Sequence, residues 1–284
     1  MTQLTPWHNH DLAGWNRLTS EDAPSVHFLH GNGFCATTLL PLAETLPSNW
    51  NLLFTDVPGH GGSVQPEGYM PNWLGMARQI GAALEERVSK PIVGVGHSMG
   101  GVMTLMIAAE HPHLFSRIVL LDPVLFSSEI IMIQRIVRKT GLWQRTDLVK
   151  RVSARRSVWP DAASMKAEFK SKNLYKEWDD KALDAFIEYG SKDTEKGREL
   201  CCNPQWEASI FGSYPRGLWQ AVRRVAVPVD ILVAEHSYSF IEKSARRASQ
   251  GNPHFRYQMV DGGHCFPMEQ VAQTGKVLNS LLNP

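Results

Sequence analysis

The sequence predicts an α/β fold: a mostly parallel sheet with helices on both faces and an inserted helical layer. Two observations predict it. Short runs rich in β-branched residues and leucine alternate with helix-like segments, a pattern typical of βα units whose strands are buried on both faces of a parallel sheet. The alternation stops at Pro123 and resumes at Val227, which indicates an insertion into one sheet.

Six strands and five helices follow from this pattern. The strands are predicted at Ser25–His30, Asn51–Asp56, Ile92–His97, Arg117–Asp122, Val229–Ala234 and Phe255–Val260. The helices are predicted at Leu39–Leu46, Trp73–Ser89, Met99–His111, Phe240–Gln250 and Pro267–Leu282. The stretch 123-227 contains five of the nine tryptophans and many helix-forming residues. We therefore expect a core formed by residues 1-122 and 228-284 with residues 123-227 inserted. An independent helical domain is the alternative.

Composition and charge narrow the range of functions. With 29 basic and 28 acidic residues the formal net charge is +1, so no overall field favours nucleic acid or an anionic membrane as a partner. No run of 18 apolar residues occurs and the first residues lack a signal-peptide pattern, so we expect a cytoplasmic protein without stable membrane insertion. The four cysteines include an adjacent pair and match no zinc-site spacing, which favours reduced thiols; they are Cys35, Cys201, Cys202 and Cys265.

A candidate nucleophile lies within residues 92–108. There a buried strand leads into Gly96-His97-Ser98-Met99-Gly100, and an apolar helix follows. A serine on such a strand-to-helix turn has a strained backbone, and glycines two residues to either side avoid collisions with neighbouring backbone. The alternative is a glycine-rich turn that only packs a helix against a sheet. The flanking strand and helix favour Ser98 as a nucleophile.

Three further segments accompany this turn. They are His30-Gly31-Asn32-Gly33-Phe34, Asp56-Val57-Pro58-Gly59-His60-Gly61-Gly62-Ser63 and Gly262-Gly263-His264, each of which follows a predicted strand. In order and spacing, these landmarks resemble those of the α/β-hydrolase superfamily, in particular its serine esterase- and lipase-like members with a helical cap. The resemblance implies an oxyanion hole made of the backbone N–H groups of Asn32 and Met99, with Phe34 as the second choice for the loop donor. It also implies that residues 123-227 form the cap.

His264 is the candidate general base among eleven histidines. It follows the last predicted strand through a Gly-Gly turn, which can present its imidazole above the strand ends where it could accept the Ser98 proton. Three other histidines are alternatives. His97 points away on the turn, and His30 and His60 lie in landmark loops where a structural hydrogen bond is the usual role.

The third member of the triad departs from the commonest superfamily pattern. That pattern places an aspartate after the strand Val229–Ala234, where this chain has Ser237. Some branches of the superfamily carry the acid after the strand that follows the nucleophile helix, which implies Asp122. The alternatives are that Glu235 supplies the acid or that Asp122 only caps the turn before Pro123.

The resemblance implies a carboxylic-ester hydrolase. Ser98 would form an acyl-enzyme with a small-molecule ester, His264 would carry the proton, and water would complete hydrolysis, with no metal or cofactor. Epoxide- and halide-processing members use an aspartate at the turn, so Ser98 argues against both. The same triad could also serve C–C bond or amide cleavage or acyl transfer, or belong to a small-molecule receptor with little turnover. The oligomeric state stays open.

The beginning of the insertion combines apolar and basic residues. Glu129 to Trp159 contains eight basic and two acidic residues, and the run Ile130–Ile133 is apolar on more than one face of a helix. One interpretation is a helix packed on the core with a solvated basic edge. The other is a helix that lines an apolar acyl site and whose basic edge favours anionic or interfacial substrates; that edge is formed by Arg135, Arg138 and Lys139.

Overall fold

The computed structural model describes residues 4–67 and 71–282. Residues 1–3, 68–70 and 283–284 of the predicted core lie outside the described residues. The strands are β1 Thr5–Asn9, β2 Leu12–Arg17, β3 Ser25–Leu29, β4 Asn51–Thr55, β5 Ile92–His97, β6 Phe115–Leu121, β7 Val158–Trp159, β8 Ser191–Thr194, β9 Gly197–Leu200, β10 Val229–Ala234 and β11 Phe255–Val260. The α-helices are α1 Leu40–Ala43, α2 Trp73–Glu85, α3 Met99–Glu110, α4 Ser128–Lys139, α5 Asp147–Ser153, α6 Ala162–Lys170, α7 Asp180–Tyr189, α8 Pro204–Phe211, α9 Leu218–Arg224, α10 Ser239–Gly251, α11 Phe266–Glu269 and α12 Val271–Leu282. Short 3-10 helices lie at Ala36–Leu39, Pro112–Leu114 and Leu142–Arg145.

An eight-stranded sheet forms the centre of the molecule, in the order β1-β2-β4-β3-β5-β6-β10-β11. Strands β1 and β2 are antiparallel, β2 is antiparallel to β4, and the remaining pairs are parallel. The mostly parallel α/β sheet is therefore confirmed, and the six predicted strands occur to within two residues at each end. Strands β1 and β2 were not predicted, because neither short sequence contains the continuous run of β-branched residues and leucine that identifies a strand buried on both faces.

Helices cover both faces of this sheet. Side chains of β6 and β10 alternate between two apolar clusters, so that Ile118 and Ile231 face one cluster and Val119 and Leu232 face the other. Helices α2, α3, α9 and α10 contribute to the first cluster, and α1, α11 and α12 contribute to the second. This alternation is the period-2 pattern of a strand, and it explains why the central strands read as continuous apolar runs.

The segment between β6 and β10 adds no strand to the central sheet. It contains α4 to α9, in line with the predicted helical insertion, and also the small antiparallel sheet β7-β9-β8, which was not predicted. The β8–β9 hairpin is mostly polar and turns at Gly197 with a φ of 112°, so it carries no apolar alternation that would have identified it.

Composition led to expectations about the cysteines and about membrane-spanning helices. All four cysteines are unpaired, and burial raises the pKa of the Cys35 thiol to about 12 and that of Cys201 to about 11. Among residues 4–67 and 71–282, no helix combines the length and apolar character that crossing a bilayer demands.

Candidate active site

Ser98 lies at the junction of β5 and α3 in a strained conformation. Its φ is 56° and its ψ is −116°, a region that costs about 1–3 kcal/mol for a residue with a side chain. The flanking glycines allow the chain to fold this way. A Cβ on Gly96 would lie 2.5 Å from the Gly100 carbonyl oxygen, and a Cβ on Gly100 would lie 2.4 Å from the Leu29 carbonyl oxygen. The turn therefore needs glycine at both positions, as the sequence predicts.

His264 reaches Ser98 from the loop after β11. Its Nε2 lies 2.9 Å from the Ser98 Oγ, a distance at which the hydroxyl donates to the ring nitrogen. A hydrogen bond holds this loop in place, because the buried His97 Nε2–H donates to the main-chain oxygen of His264 at 2.9 Å. Burial, together with the nearby His264, lowers the pKa of His97 to about 3, so its ring stays neutral. One loop thus brings a base to the hydroxyl of Ser98.

Asp122 completes this line of hydrogen bonds. It follows β6, is fully buried, and its Oδ2 accepts from the His264 Nδ1 at 2.6 Å. Two groups from the end of β10 also donate to it: the Ala234 N–H reaches Oδ1 at 3.0 Å, and the Ser237 hydroxyl bonds to Oδ2. A buried carboxyl group needs such donors, because polar atoms without partners are costly in the protein interior. Ser237, which occupies the position where the superfamily pattern predicts an aspartate, supplies one of these donors.

Glu235 lies elsewhere. Its side chain is exposed. One side-chain oxygen or nitrogen atom from each of Glu235, His236 and Asp261 lies within 4.8 Å of the other two. The Glu235 backbone N–H donates to the Val260 carbonyl at 2.9 Å, which continues the pairing of β10 with β11. Among the described residues, the structure therefore brings Asp122 to His264 and leaves Glu235 on the surface.

Two backbone N–H groups lie in segments next to Ser98, those of Met99 and Asn32. Met99 begins α3, and the first N–H groups of a helix have no partner within it. The loop after β3 lies against the serine, since a Cβ on Gly31 would be 3.3 Å from the Ser98 Cβ. In that loop the Phe34 N–H donates to the Gly31 carbonyl at 3.3 Å, whereas the Asn32 N–H makes no hydrogen bond within the described chain. The turn thus leaves Asn32, and not Phe34, with a free donor.

His30 and His60 hold the neighbouring loops together. The Nε2 of His30 accepts from the Val57 N–H at 3.0 Å, and the Nε2 of His60 accepts from the Gly33 N–H at 3.0 Å. Burial lowers the pKa of His60 to about 4 and that of His30 well below its usual value, so both rings are neutral acceptors. These contacts are the structural hydrogen bonds expected of the two landmark histidines.

Helix α8 of the inserted segment contacts these same loops, which the sequence did not reveal. The Trp206 Nε1–H donates to the Pro58 carbonyl at 3.1 Å, and the Asn32 side-chain amide donates to the Glu207 carbonyl at 3.1 Å. The Glu207 carboxylate pairs with Arg155 at 2.9 Å. Burial raises the pKa of the Glu207 carboxyl, and the Arg155 charge offsets part of that rise. No local signal could have identified these contacts, since they join residues 148 and 175 positions apart.

The sequence of this chain is similar to those of known hydrolases. The model of the alpha/beta hydrolase family matches residues 28–274. A monoacylglycerol lipase from Xenopus laevis is 30% identical over 132 residues, which cover 44% of this chain and 39% of that protein. A pyrrolizixenacetamide deacetylase from Xenorhabdus hominickii is 34% identical over 111 residues, which cover 38% of this chain and 40% of the relative. These alignments thus span well under half the length of either relative.

Solved structures extend the similarity to the whole chain. An E-2-(acetamidomethylene)succinate hydrolase superposes with a TM-score of 0.79 at 21% identity, with 99% of this chain and 100% of the other covered. An esterase from Mycobacterium tuberculosis superposes with a TM-score of 0.76 at 20% identity, with 99% and 92% covered. At this identity the superpositions establish the fold.

Proposed function

Because the chain belongs to the alpha/beta hydrolase family, we propose that it is a serine hydrolase that cleaves carboxylic esters of small molecules through an acyl-enzyme. The observation that carries the proposal is the continuous line of hydrogen bonds from the Ser98 hydroxyl through His264 to the buried Asp122. Each member has a partner that suits its role: the hydroxyl donates to Nε2, and Nδ1–H donates to a carboxylate.

In this proposal Ser98 attacks the ester carbonyl while His264 takes the hydroxyl proton. The negative charge that develops on the carbonyl oxygen is stabilised by the backbone N–H groups of Asn32 and Met99, and removal of one such donor typically costs about 10²–10³-fold in rate. His264 then returns the proton to the leaving alcohol, and a water molecule, activated by the same imidazole, hydrolyses the acyl-enzyme. Asp122 holds the imidazole in the tautomer that accepts from Ser98 and stabilises its protonated form.

We further propose that residues 123-227 act as a cap over this site. The proposal is supported by α8, whose Trp206 and Glu207 bond to the loops that follow β4 and β3. The loop after β3 borders the Ser98 side chain, and Ser98 itself is almost fully buried. A cap at this position would exclude water and shape the acyl pocket.

Labelling with a fluorophosphonate tests the nucleophile directly. The parent protein should gain one phosphonyl group on Ser98, read by intact-mass spectrometry and peptide mapping, and Ser98→Ala should lose both the adduct and ester hydrolysis. His264→Ala should lower kcat by several orders of magnitude with little change in substrate affinity. An adduct on another residue, or undiminished hydrolysis by Ser98→Ala, would refute the assignment.

A panel of p-nitrophenyl esters of graded acyl length would identify the preferred acyl group. Amide hydrolysis is a second candidate, because one relative is named as a deacetylase of an acetamide. Measuring p-nitroacetanilide beside p-nitrophenyl acetate separates the two reactions. A larger kcat/KM for the anilide would favour the amide, and multiple turnovers on either substrate would argue against a receptor.

A further inference from the structure

Helix α4 buries one of its two arginines and exposes three of its apolar residues, while Ile131 and Val137 are partly buried against apolar clusters. Arg138 is buried, where it donates to the Ser209 hydroxyl at 3.0 Å and lies over the Trp143 ring at 3.7 Å. Met132, Ile133 and Ile136 are 58%, 57% and 56% exposed. The interpretation that placed Arg138 on an exposed basic edge is therefore wrong. Because Arg138 anchors the helix, α4 cannot rotate to bury Ile133 and Ile136 without removing the Arg138 charge from these partners.

The exposed apolar surface continues beyond this helix. The 3-10 turn Leu142–Arg145 packs against both α4 and α5, and it places Leu142 at 48% exposure, while Leu148 of α5 is 44% exposed. Within the described chain, five of the eleven large apolar side chains that are exposed lie in the short stretch 132–148. Single exposed apolar residues are normal on a protein surface, but such a concentration marks an interaction site.

Basic side chains surround these apolar residues. The exposed basic residues of the same stretch and its next turn are Arg135, Lys139, Arg145, Lys150 and Arg151. Among residues 4–67 and 71–282, none of the five forms an ion pair; the neighbouring pairs involve Arg155 and Arg156 instead. The exposed acids between residues 128 and 151 are Glu129 and Asp147. The five apolar and five basic residues together are called the α4–α5 face below.

Aromatic side chains extend from the N-terminal end of α4 to the candidate active site. Phe126 lies two residues before α4 and packs on Phe240 with ring centres 5.3 Å apart. Phe240 stacks on Tyr238 at 5.7 Å, and Tyr238 meets His264 edge to face at 5.3 Å. The helix that carries the exposed isoleucines therefore begins beside a row of rings that ends at His264.

We propose that the α4–α5 face docks reversibly on membrane surfaces that contain anionic phospholipid. Its apolar side chains would enter the boundary between headgroups and acyl chains, and its unpaired basic side chains would bind the anionic headgroups. The positive charge selects this occupant. An apolar patch that served a protein partner alone would not need five unpaired cations around it, and repulsion between like charges disfavours a second copy of this chain.

Vesicle co-sedimentation tests the proposal without relying on catalysis. The full chain, carrying Ser98→Ala to prevent lipid hydrolysis, is mixed with vesicles of phosphatidylcholine alone or with roughly a third phosphatidylglycerol. We expect binding to the anionic vesicles that weakens as salt is raised. The double variants Ile133→Ser/Ile136→Ser and Arg135→Glu/Lys139→Glu should each lower the partition coefficient by about 10-fold or more.

Matched controls lie outside the face. Leu18→Ser removes another exposed apolar side chain, and Lys243→Glu reverses an exposed charge on α10; both should bind like the parent. Met132→Ser provides a milder test if a double variant fails to fold by circular dichroism. Equal binding by parent and face variants would overturn the proposal, as would equal binding to neutral and anionic vesicles. Self-association that Ile133→Ser/Ile136→Ser abolishes, without vesicle binding by the parent, would identify the face as a contact between copies.

Discussion

Strands β6 and β10 end side by side at the same edge of the sheet, yet their ends carry different chemistry. The strands run parallel with Leu121 opposite Leu232. The next residue after β6 is the buried Asp122, in a positive-φ conformation of 44°, whereas β10 continues into the exposed Glu235 and then Ser237. Two neighbouring strand ends could therefore supply a carboxylate, and the one that is buried and hydrogen-bonded lies at β6.

The two ends differ but are not independent. The Ser237 hydroxyl donates to the same Asp122 oxygen that accepts from His264, so β10 holds the carboxylate that β6 provides. In the commonest superfamily arrangement an aspartate occupies the Ser237 position. In this chain the carboxylate that accepts from His264 follows β6, and a hydroxyl from the loop after β10 donates to it.

The largest effect is expected when the carboxylate itself is removed. Asp122→Asn should lower kcat for p-nitrophenyl acetate by about 10³–10⁴-fold, because the amide favours the wrong imidazole tautomer and cannot stabilise its protonated form. Glu235→Gln should change kcat by less than about twofold, since its side chain is exposed. The reverse order of damage, in variants whose circular dichroism matches the parent, would move the acid to β10.

Moving the carboxylate between the two ends should restore part of the lost activity. We expect Asp122→Asn/Ser237→Asp to be roughly 10–100-fold faster than Asp122→Asn alone, because residue 237 already touches the atom that accepts from His264. Steady-state kinetics of the four proteins in the double-mutant cycle measure this coupling. A folded double variant no faster than Asp122→Asn would show that the two strand ends are not interchangeable.

A smaller effect is expected from the donor alone. Ser237→Ala removes one of the hydrogen bonds to the Asp122 carboxyl group; a loss of about 1.4 kcal/mol in transition-state stabilisation corresponds to a fall in kcat of about 10-fold at nearly unchanged KM. Ser237→Thr, which keeps the hydroxyl, should retain most of the activity, and the exposed Ser239→Ala is the matched control. If Ser237→Ala changed KM alone, Ser237 would act on substrate rather than on Asp122.

The smallest effect concerns folding stability and His97, which ends the neighbouring strand β5. His97 has its pKa lowered by burial from 6.5 to about 3, so the unfolded chain takes up its proton before the folded chain does. The contribution of neutral His97 to the free energy of unfolding is therefore fully present above pH 6.5. It decreases as the pH falls towards 3, by up to ~1.4 kcal/mol per pH unit. Urea unfolding at about pH 7, 6 and 5 should show a shallower pH dependence for His97→Gln than for the parent. The exposed His10→Gln should lose far less of that dependence, and identical slopes for parent and His97→Gln would contradict this account.

Much of the candidate site could be predicted because its conformations are local. The turn at Ser98 needs glycine at 96 and 100 because their Cβ atoms would collide with backbone, and that requirement is visible as a short motif. The central strands are equally visible, because strands buried on both faces are continuous apolar runs. The assignments of Ser98, His264, Asp122, Asn32 and Met99 to catalysis stay predictions that the experiments above address.

Other features depend on residues that meet only in the folded chain. The polar β8–β9 hairpin and the two short strands β1 and β2 at one end of the sheet have no continuous apolar run of their own, so neighbouring elements decide their pairing. The orientation of α4 is set by Arg138 against Ser209, 71 positions away. An apolar stretch alone would have predicted the opposite orientation, because burial of isoleucine is normally favoured over burial of arginine.

By itself, the sequence determined the α/β class, the central strands, the strained serine turn and the landmark loops, because steric limits and side-chain periodicity act over a few residues. The tertiary structure alone decided that Ser237 bonds to Asp122 across 115 positions, that Glu235 faces solvent, and that α8 holds the loops beside Ser98. Those outcomes depend on which strand ends and helices become neighbours, and packing of the whole chain sets that arrangement.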